Sequence, residues 1–461
     1  MKTTLYTPAT GYPDLEVKIA YGLARVGIEA VGAKQVKIIP AGGYYRLEID
    51  ADPERLNSVF RILSRRLLAS NYIPFSTPGI TSRSAGNLIV RPDESHDLAI
   101  YLQPQFAYRH LKAKVCGHGS DRNQTVGNVI GLSAATSFPK RRDGLDVLLQ
   151  PANSKQQGSP RIPRRPTNPG KICKTCALLA LTGTWFATCF FAASESEIMV
   201  IPVPRTEVSG LQLERLFSYQ HQLRRVYIHQ QVPLRVIPLL FFSRVPSSAD
   251  FLEGFELYIV VLSRQQGYHV DGVLALPVVD YFKFIRWSPY NLAAVELLLN
   301  RDTGSAALAE LNRLICTGKP ADPARFARLY TGATSTDRYT NLLYFQTAEY
   351  LLKEVAMINP EIIKNRALGS LARTLRYFIW QKKYGYSDAI RNARKDTRVF
   401  EETIARMLRE AKLRLEQEER IHLPNEEEVK EVFELADKDF EAVRLALVIL
   451  AFSFPAGGED N

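Results

Sequence analysis

The spacing of hydrophobic positions changes near the middle of the chain. Up to about residue 279, short β-branched runs, several of them alternating with polar residues, are mixed with short helical patterns. The runs 36–39 and 44–49 predict a hairpin, because the Pro-Ala-Gly-Gly sequence at 40–43 is typical of a turn. The first half therefore predicts a body that contains both strands and helices.

Helical spacing follows this hairpin and dominates the second half. Asp52 suits the N-cap and Pro53 the first turn of a helix whose apolar positions continue to Leu68. From Asn291 the strand patterns stop, and helical spacing fills the runs 292–299, 306–315, 339–358, 360–384, 387–415 and 425–452. The two patterns together predict an α+β protein, with an N-terminal mixed α/β body and an all-helical C-terminal bundle over residues 289–461.

Three apolar runs interrupt the first half. Residues 232–242 and 255–262 predict core strands. Residues 177–193 form a run of 17 residues, which is at the short limit for crossing a bilayer, so we expect a buried helix or strand pair and no membrane contact. The first residues lack the apolar segment of a signal peptide, and we expect a cytoplasmic protein.

Positive charge is concentrated in one segment of the chain. The 461 residues include 59 Lys and Arg against 48 Asp and Glu, a formal charge of +11, and residues 105–176 alone contain 13 basic against 3 acidic residues. Such a density of like charge predicts a polyanionic partner, with a solvated basic loop as the alternative. The candidate phosphate contacts here are Lys112, Lys114, Arg122, Lys140, Arg141, Arg142, Arg161, Arg164 and Arg165.

The cysteines indicate a metal site within the same segment. Five cysteines in 461 residues do not make a disulfide framework, and Cys173 and Cys176 form a Cys-x-x-Cys pair. A redox pair would start a helix in a thioredoxin-like pattern, which the Pro- and Arg-rich residues 160–170 do not supply. Cys116 and His118 would complete a structural zinc site, with Cys189, which lies in the apolar run, as the alternative. We therefore predict a basic zinc-binding insertion at 105–190, between an α+β part at 1–104 and its continuation at 191–288.

The predicted bundle also carries basic helical faces. Arg373 and Arg376 follow Arg366 at spacings of 7 and 3, and Arg391, Arg394 and Arg398 are spaced 3 and 4 apart, so each set is predicted to line one face of a helix. These faces suit a phosphate backbone. Alternatively they pair with residues 416–441, where 11 acidic residues outnumber 3 basic ones.

Three common catalytic motifs are missing from the sequence. It contains no Gly-rich phosphate loop followed by Lys-Ser/Thr, no Gly-x-Ser-x-Gly and no His-Glu-x-x-His. The seven histidines are scattered along the chain. We therefore expect a binding protein rather than an enzyme.

These features together resemble the large subunit of the archaeal type I-A CRISPR interference complex (Cascade). The resemblance is one of organisation over the whole chain: an α+β half with a Cys-x-x-Cys insertion, a helical C-terminal bundle, a basic surplus and no catalytic motif. Its most concrete points are Cys173-Lys-Thr-Cys176 and the closing helix at 426–452.

The resemblance implies a role in antiviral defence. Such a subunit sits at the foot of the guide-RNA filament, reads the short duplex motif that flanks the target, helps to part the strands, and docks the helicase and nuclease. Its partners would be double-stranded target DNA, the displaced single strand, the other guide-RNA complex subunits and the helicase/nuclease. Arg122, Asn123, Gln124 and Asn128 are residue types that can hydrogen-bond base edges, and the basic faces of the bundle would guide the displaced strand.

Two other functions fit the same residues. One is a zinc-containing RNA-processing or RNA-modifying enzyme whose active centre is assembled from scattered polar residues. The other is a scaffold whose basic faces bind an acidic protein partner.

Overall fold

The structure is a computed structural model in which the chain forms two compact units. An α+β unit comprises Met1–Leu234 and Ser248–Val279, and a helical unit comprises Arg235–Ser247 and Asp280–Asn461. The residues described are 2–9, 13–69, 97–104, 116, 173–187, 189–192, 196–223, 236–244, 252, 254–263, 269–334, 342–394, 396–417 and 419–455.

The α+β unit contains the strands and the first helices. Its helices are α1 (Pro13–Val31), α2 (Pro53–Ala69), α3 (Lys174–Ala187) and α4 (Gly210–Leu223), with short 3-10 turns at Ala33–Gln35 and Leu98–Tyr101. Its strands are β1 (Thr3–Tyr6), β2 (Val36–Pro40), β3 (Tyr45–Ile49), β4 (Cys189–Ala192), β5 (Ser196–Pro204), β6 (Val208–Ser209), β7 (Phe255–Ser263) and β8 (His269–Pro277). In the described part of the chain these strands make two four-stranded sheets, in the orders β1-β3-β2-β6 and β4-β5-β7-β8.

The first sheet contains the predicted hairpin. Strands β2 and β3 pair antiparallel, with Ile38 opposite Leu47. The turn between them uses the conformational freedom of glycine, since Gly42 and Gly43 have φ values of 71° and 132°. Helix α2 begins as predicted, because the Asp52 carboxylate accepts a hydrogen bond of 2.8 Å from the Arg55 amide.

Of the two apolar runs predicted as strands, one is a helix. Strand β7 confirms the prediction for 255–262. The prediction for 232–242 was wrong, because Ile237–Arg244 forms helix α5, which belongs to the helical unit. Its apolar side chains are buried without the periodicity that distinguishes helix from strand, and Pro238 suits the first helical turn but would remove a hydrogen bond from a sheet.

The longest apolar run is buried within the α+β unit. It forms most of helix α3 and then strand β4, as predicted for a buried helix or strand pair. A Cβ at Gly183 would lie 1.8 Å from the carbonyl oxygen of Lys18, and one at Gly22 would lie 2.1 Å from that of Leu179, so helices α1 and α3 touch backbone to backbone. Among the helices the structure describes, none combines the length and apolar character needed to cross a membrane. The contact between helices α1 and α3 fixes the position of the start of α3, where the Cys-x-x-Cys pair lies.

The second unit is helical, as the pattern after residue 291 predicts, but the closing helix predicted at 426–452 is two helices that meet at Asp439. Its remaining helices are α6 (Val279–Trp287), α7 (Pro289–Leu299), α8 (Ser305–Cys316), α9 (Ala324–Thr334), α10 (Phe345–Tyr350, continued by a π-helix at Leu351–Val355), α11 (Pro360–Ile363), α12 (Arg366–Trp380), α13 (Gly385–Asn392), α14 (Thr397–Glu416), α15 (Glu426–Lys438) and α16 (Phe440–Ala451). Asn425 and Glu428 form a capping box at the start of α15. Helix α16 is the centre of this unit, since Val443, Leu447 and Ile449 are all completely buried.

The α+β class with a helical C-terminal part is therefore present in the structure. The boundaries predicted for the insertion, 105–190, stay a prediction. Most of that segment lies outside the described residues, which resume at Cys173.

Candidate metal centre and basic surfaces

Three cysteines that are far apart in the sequence lie together inside the α+β unit. Cys173 directly precedes helix α3, and Cys176 lies in its first turn. The pair thus starts a helix, contrary to the expectation from residues 160–170, and it is the third cysteine that favours a metal site over a redox pair. Cys116 joins them, and the three Sγ atoms all lie within 4.8 Å of one another. All three side chains are buried, with relative exposures of 2% for Cys116, 6% for Cys173 and 0% for Cys176. The cluster can therefore hold a metal ion.

Each sulfur of the cluster has a hydrogen-bonding neighbour. The amide of Cys173 donates to Sγ of Cys116 at 3.3 Å, and the amide of Cys176 donates to Sγ of Cys173 at 3.4 Å. The hydroxyl of Tyr101 lies 3.0 Å from Sγ of Cys176. Donors placed at sulfur atoms stabilise thiolates, which are the form that binds metal.

The surroundings oppose thiolates unless a cation is present. A hydrogen bond with Cys116 raises the pKa of Cys173 to about 12, and burial raises the pKa of Cys176 well above its usual range. A bound cation removes this obstacle, because it replaces the protons and balances the negative charge.

Zinc fits the described part of the cluster. Sulfurs bonded to one tetrahedral zinc at ~2.3 Å lie ~3.8 Å apart, which is compatible with the 4.8 Å limit within this cluster. The predicted fourth ligand, His118, lies outside the described residues. Cys316 lies in helix α8 of the helical unit, where its Sγ is 3.0 Å from the Tyr281 hydroxyl.

Comparison with known proteins identifies no family for this chain. Neither the models of known protein families nor the curated proteins contain a match to the chain.

The basic residues of the insertion cannot be placed in the structure. All those proposed to contact phosphates or bases lie outside the described residues, and they are Lys112, Lys114, Arg122, Asn123, Gln124, Asn128, Lys140, Arg141, Arg142, Arg161, Arg164 and Arg165. Their role stays a prediction.

The four candidate arginines of the bundle have different surroundings. Arg373 is exposed on helix α12. Arg376 is 8% exposed, and its guanidinium donates to the carbonyl oxygen of Leu450 at 2.9 Å. Arg391 and Arg394 form ion pairs with Asp388 at 3.5 Å and with Asp322 at 3.0 Å, respectively. The prediction that these two line one helical face was wrong, because helix α13 ends at Asn392, before Arg394. The spacing of 7 and 3 therefore does not give three equivalent arginines, because position 376 faces the core.

Among the residues that the structure describes, the acidic stretch at 416–441 does not pair with every exposed arginine of the bundle. Its Glu419 pairs with Arg414 at 3.1 Å, and its Glu441 pairs with the buried Arg444. Arg366 and Arg373 are both exposed, and neither forms an ion pair with any residue that the structure describes. Two turns of helix α12 thus present cationic groups to solvent, with Trp380, which is 52% exposed, two turns further along.

A small cleft lies beyond the end of this helix. It has a volume of about 300 Å³ and is lined by Lys383, Gly385, Tyr386, Ala389, Thr403, Arg406 and Glu410. Glu410 accepts hydrogen bonds from the Tyr386 hydroxyl at 2.6 Å and from Lys383 at 3.3 Å. The hydrogen bond from Tyr386 and the neighbouring cations lower the pKa of Glu410. The ionised Glu410 carboxylate therefore holds the Lys383 and Tyr386 side chains in place at the cleft.

A serine and a histidine also meet in the helical unit. Oγ of Ser370 lies 2.7 Å from Nε2 of His422 and 3.0 Å from Oε2 of Glu428. In a nucleophile relay, the histidine lies between the serine and the carboxylate. Here the Glu428 carboxylate contacts the serine itself. The two contacts instead join helix α12 to His422, in the segment before α15, and to Glu428 of α15.

Tyr101 is a neighbour of the cysteine cluster that the sequence did not reveal. It lies 75 residues before Cys176. A lone tyrosine in an apolar Leu-Ala-Ile-Tyr turn has no motif that links it to cysteines. Only the tertiary fold brings its hydroxyl to the sulfur.

Proposed function

We propose that this protein is the non-catalytic, nucleic-acid-binding large subunit of a type I-A CRISPR effector complex. In this role it recognises the duplex motif that flanks the target, aids strand separation and docks the helicase/nuclease. A structural zinc ion bound by Cys116, Cys173, Cys176 and His118 stabilises the basic insertion.

The observation that carries this proposal is the position of the cysteine cluster. Cys116 and Cys173 bracket 56 residues, 117–172, which contain nine basic and three acidic residues. The two cysteines meet in the buried cluster, so the ends of this basic segment meet at the α+β core. A metal that joins the ends of a long segment restricts its unfolded conformations. The segment's basic residues are the proposed phosphate contacts.

The helical unit supplies a second cationic surface. Arg366 and Arg373 are exposed without acidic partners in the described part of the chain, and Trp380, which is 52% exposed, lies on the same helix. Cations along a helix suit a single strand, since its phosphates bind them without reading sequence.

The proposal is tested by titrating the purified chain with short duplex DNA, single-stranded DNA and RNA at two salt concentrations. We expect duplexes with a particular flanking motif to bind most tightly. If six or more phosphates are neutralised, the affinity falls on the order of 10³-fold between about 50 and 200 mM salt. Absence of binding to every nucleic acid would contradict the proposal and favour the acidic-protein scaffold. Turnover of RNA by the isolated chain would favour the RNA enzyme.

Substitutions separate specific contacts from total charge. Replacing Lys140, Arg141 and Arg142 together with Ala should weaken binding to all sequences alike and make it less dependent on salt. A charge-matched control replaces Lys34, Arg65 and Arg66, which are exposed in the α+β unit, and should have a much smaller effect. Equal effects of the two triple variants would show that only total charge matters.

A further inference from the structure

Two of the three sulfurs in the cysteine cluster accept hydrogen bonds from main-chain amides, and the third lies beside a side-chain hydroxyl. Main-chain amides donate to Cys116 and Cys173, at 3.3 and 3.4 Å. The hydroxyl of Tyr101 lies 3.0 Å from Sγ of Cys176, and either atom can be the donor. Each sulfur thus has an N–H or O–H group within hydrogen-bonding distance.

We propose that Tyr101 is a positioning residue of a metal-thiolate centre, whose hydroxyl donates a hydrogen bond to the metal-bound sulfur of Cys176. The inference rests on the metal site of the proposed function and assigns a role to a residue outside the predicted ligand set. It does not depend on the identity of the nucleic acid.

The fold fixes this hydroxyl through helix α2. Tyr101 ends the 3-10 turn Leu98–Tyr101, whose N-cap Asp97 accepts a hydrogen bond of 2.8 Å from the Ala99 amide. Asn57 of α2 donates to the Asp97 carboxylate at 2.8 Å and accepts from the Leu98 amide at 2.7 Å. The turn is therefore bonded to α2 at two points, and the Tyr101 side chain that leaves it is completely buried.

Charge balance favours Tyr101 as a donor rather than a ligand. Three thiolates around one divalent cation already leave a net negative charge in a buried site. A phenolate ligand would add a further buried negative charge, whereas a neutral O–H group offsets part of the charge on sulfur. Donors to metal ligands orient those ligands, and their loss typically lowers metal affinity ~10- to 100-fold.

The test uses the full chain and two tyrosine variants. Wild-type protein, Tyr101→Phe and the control Tyr281→Phe are stripped of metal and titrated with Co²⁺, whose absorption reports thiolate ligands, and then with Zn²⁺ against a chromophoric chelator. Tyr281 is a matched control because its buried hydroxyl also lies 3.0 Å from a cysteine sulfur, that of Cys316, in the other unit.

We expect Tyr101→Phe to keep one metal per chain and a tetrahedral Co²⁺ spectrum. Its sulfur-to-cobalt charge-transfer band should move to longer wavelength, because a thiolate without its hydrogen bond is easier to oxidise. Its Zn²⁺ affinity should fall ~10- to 100-fold, while Tyr281→Phe should match the wild type. Asn57→Ala provides a second test that leaves the phenol in place. It releases the turn and should produce a smaller shift in the same direction.

Three results would overturn the inference. Wild-type Zn²⁺ affinity and an unchanged Co²⁺ spectrum in Tyr101→Phe would make the hydroxyl irrelevant to the metal. Loss of the tetrahedral spectrum in Tyr101→Phe would make Tyr101 a ligand. Failure of the wild-type chain to bind Co²⁺ or Zn²⁺ would remove the centre itself, yet the nucleic-acid titration would still decide the binding role independently.

Discussion

The guanidinium of Arg376 donates a hydrogen bond of 2.9 Å to the main-chain carbonyl oxygen of Leu450. This contact joins helix α12 to the last turn of helix α16, inside the helical unit. Arg373 lies one turn earlier on α12, is exposed, and forms no ion pair with a described residue. Two arginines of one predicted basic face therefore have different roles, one in stability and one available to a ligand.

Alanine substitutions should separate these two roles. Arg376→Ala removes a charged donor from a buried carbonyl group, and we expect it to lower the free energy of unfolding by about 1.5–3 kcal/mol. Arg373→Ala should leave stability within about 0.5 kcal/mol and weaken single-stranded DNA binding, with a salt slope smaller by about 1. Chemical denaturation and salt-dependent titration of both variants measure the two effects. Exchange of the two phenotypes would refute these assignments.

Two helical glycines should respond in opposite ways to alanine. A Cβ at Gly183 would lie 1.8 Å from the Lys18 carbonyl oxygen, whereas nothing lies within 4 Å of one at Gly369 in helix α12. Gly183→Ala should force helices α1 and α3 apart and destabilise the protein by about 3 kcal/mol. Gly369→Ala should stabilise it by up to about 1 kcal/mol, the helix-propensity difference. Thermal unfolding checks both, and a neutral effect at Gly183 would contradict the close packing of α1 on α3.

The carboxylate of Glu410 should make stability depend on pH. The hydrogen bond from Tyr386 lowers the pKa of Glu410 below its ordinary value of 4.5. A lowered pKa in the folded state means that the ionised group stabilises the fold above the unfolded pKa, and this stability is lost as the pH falls through the folded value. Wild-type protein should therefore be more stable than Glu410→Gln at pH 7.

This difference should shrink as the pH falls below about 4.5. Urea denaturation at several pH values measures it. The control is Glu434→Gln, whose pair with Lys430 is 3.7 Å long and exposed, so it should change little at any pH. A difference between wild type and Glu410→Gln that stayed constant down to pH 3 would rule out this role for the Glu410 carboxylate.

Local chemistry explains which elements the sequence could predict. Two glycines with positive φ define the turn of the hairpin, and Asn425 with Glu428 defines the start of α15, because each acts within a few residues. The helix at Ile237–Arg244 was missed because an apolar run that is buried on all sides has no periodicity.

Contacts between distant segments were predicted only where chemistry linked them. The grouping of Cys116 with Cys173 and Cys176 follows from metal-ligand chemistry, which applies at any sequence separation. The contact of Tyr101 with Cys176 follows only from the packing of the turn on helix α2, so no pattern in the sequence indicates it.

The proposed function depends most on the metal centre, which would hold the two ends of the basic segment together. The decisive measurement is the zinc content of the purified chain by elemental analysis, compared with that of Cys173→Ser and of the control Cys316→Ser in the helical unit. We predict about one zinc per chain in the wild type and in Cys316→Ser, and loss of zinc in Cys173→Ser, because a structural site needs its full set of thiolates. A wild-type chain that folds and binds nucleic acid without a stoichiometric metal, or a Cys173→Ser variant that keeps its zinc, would contradict it.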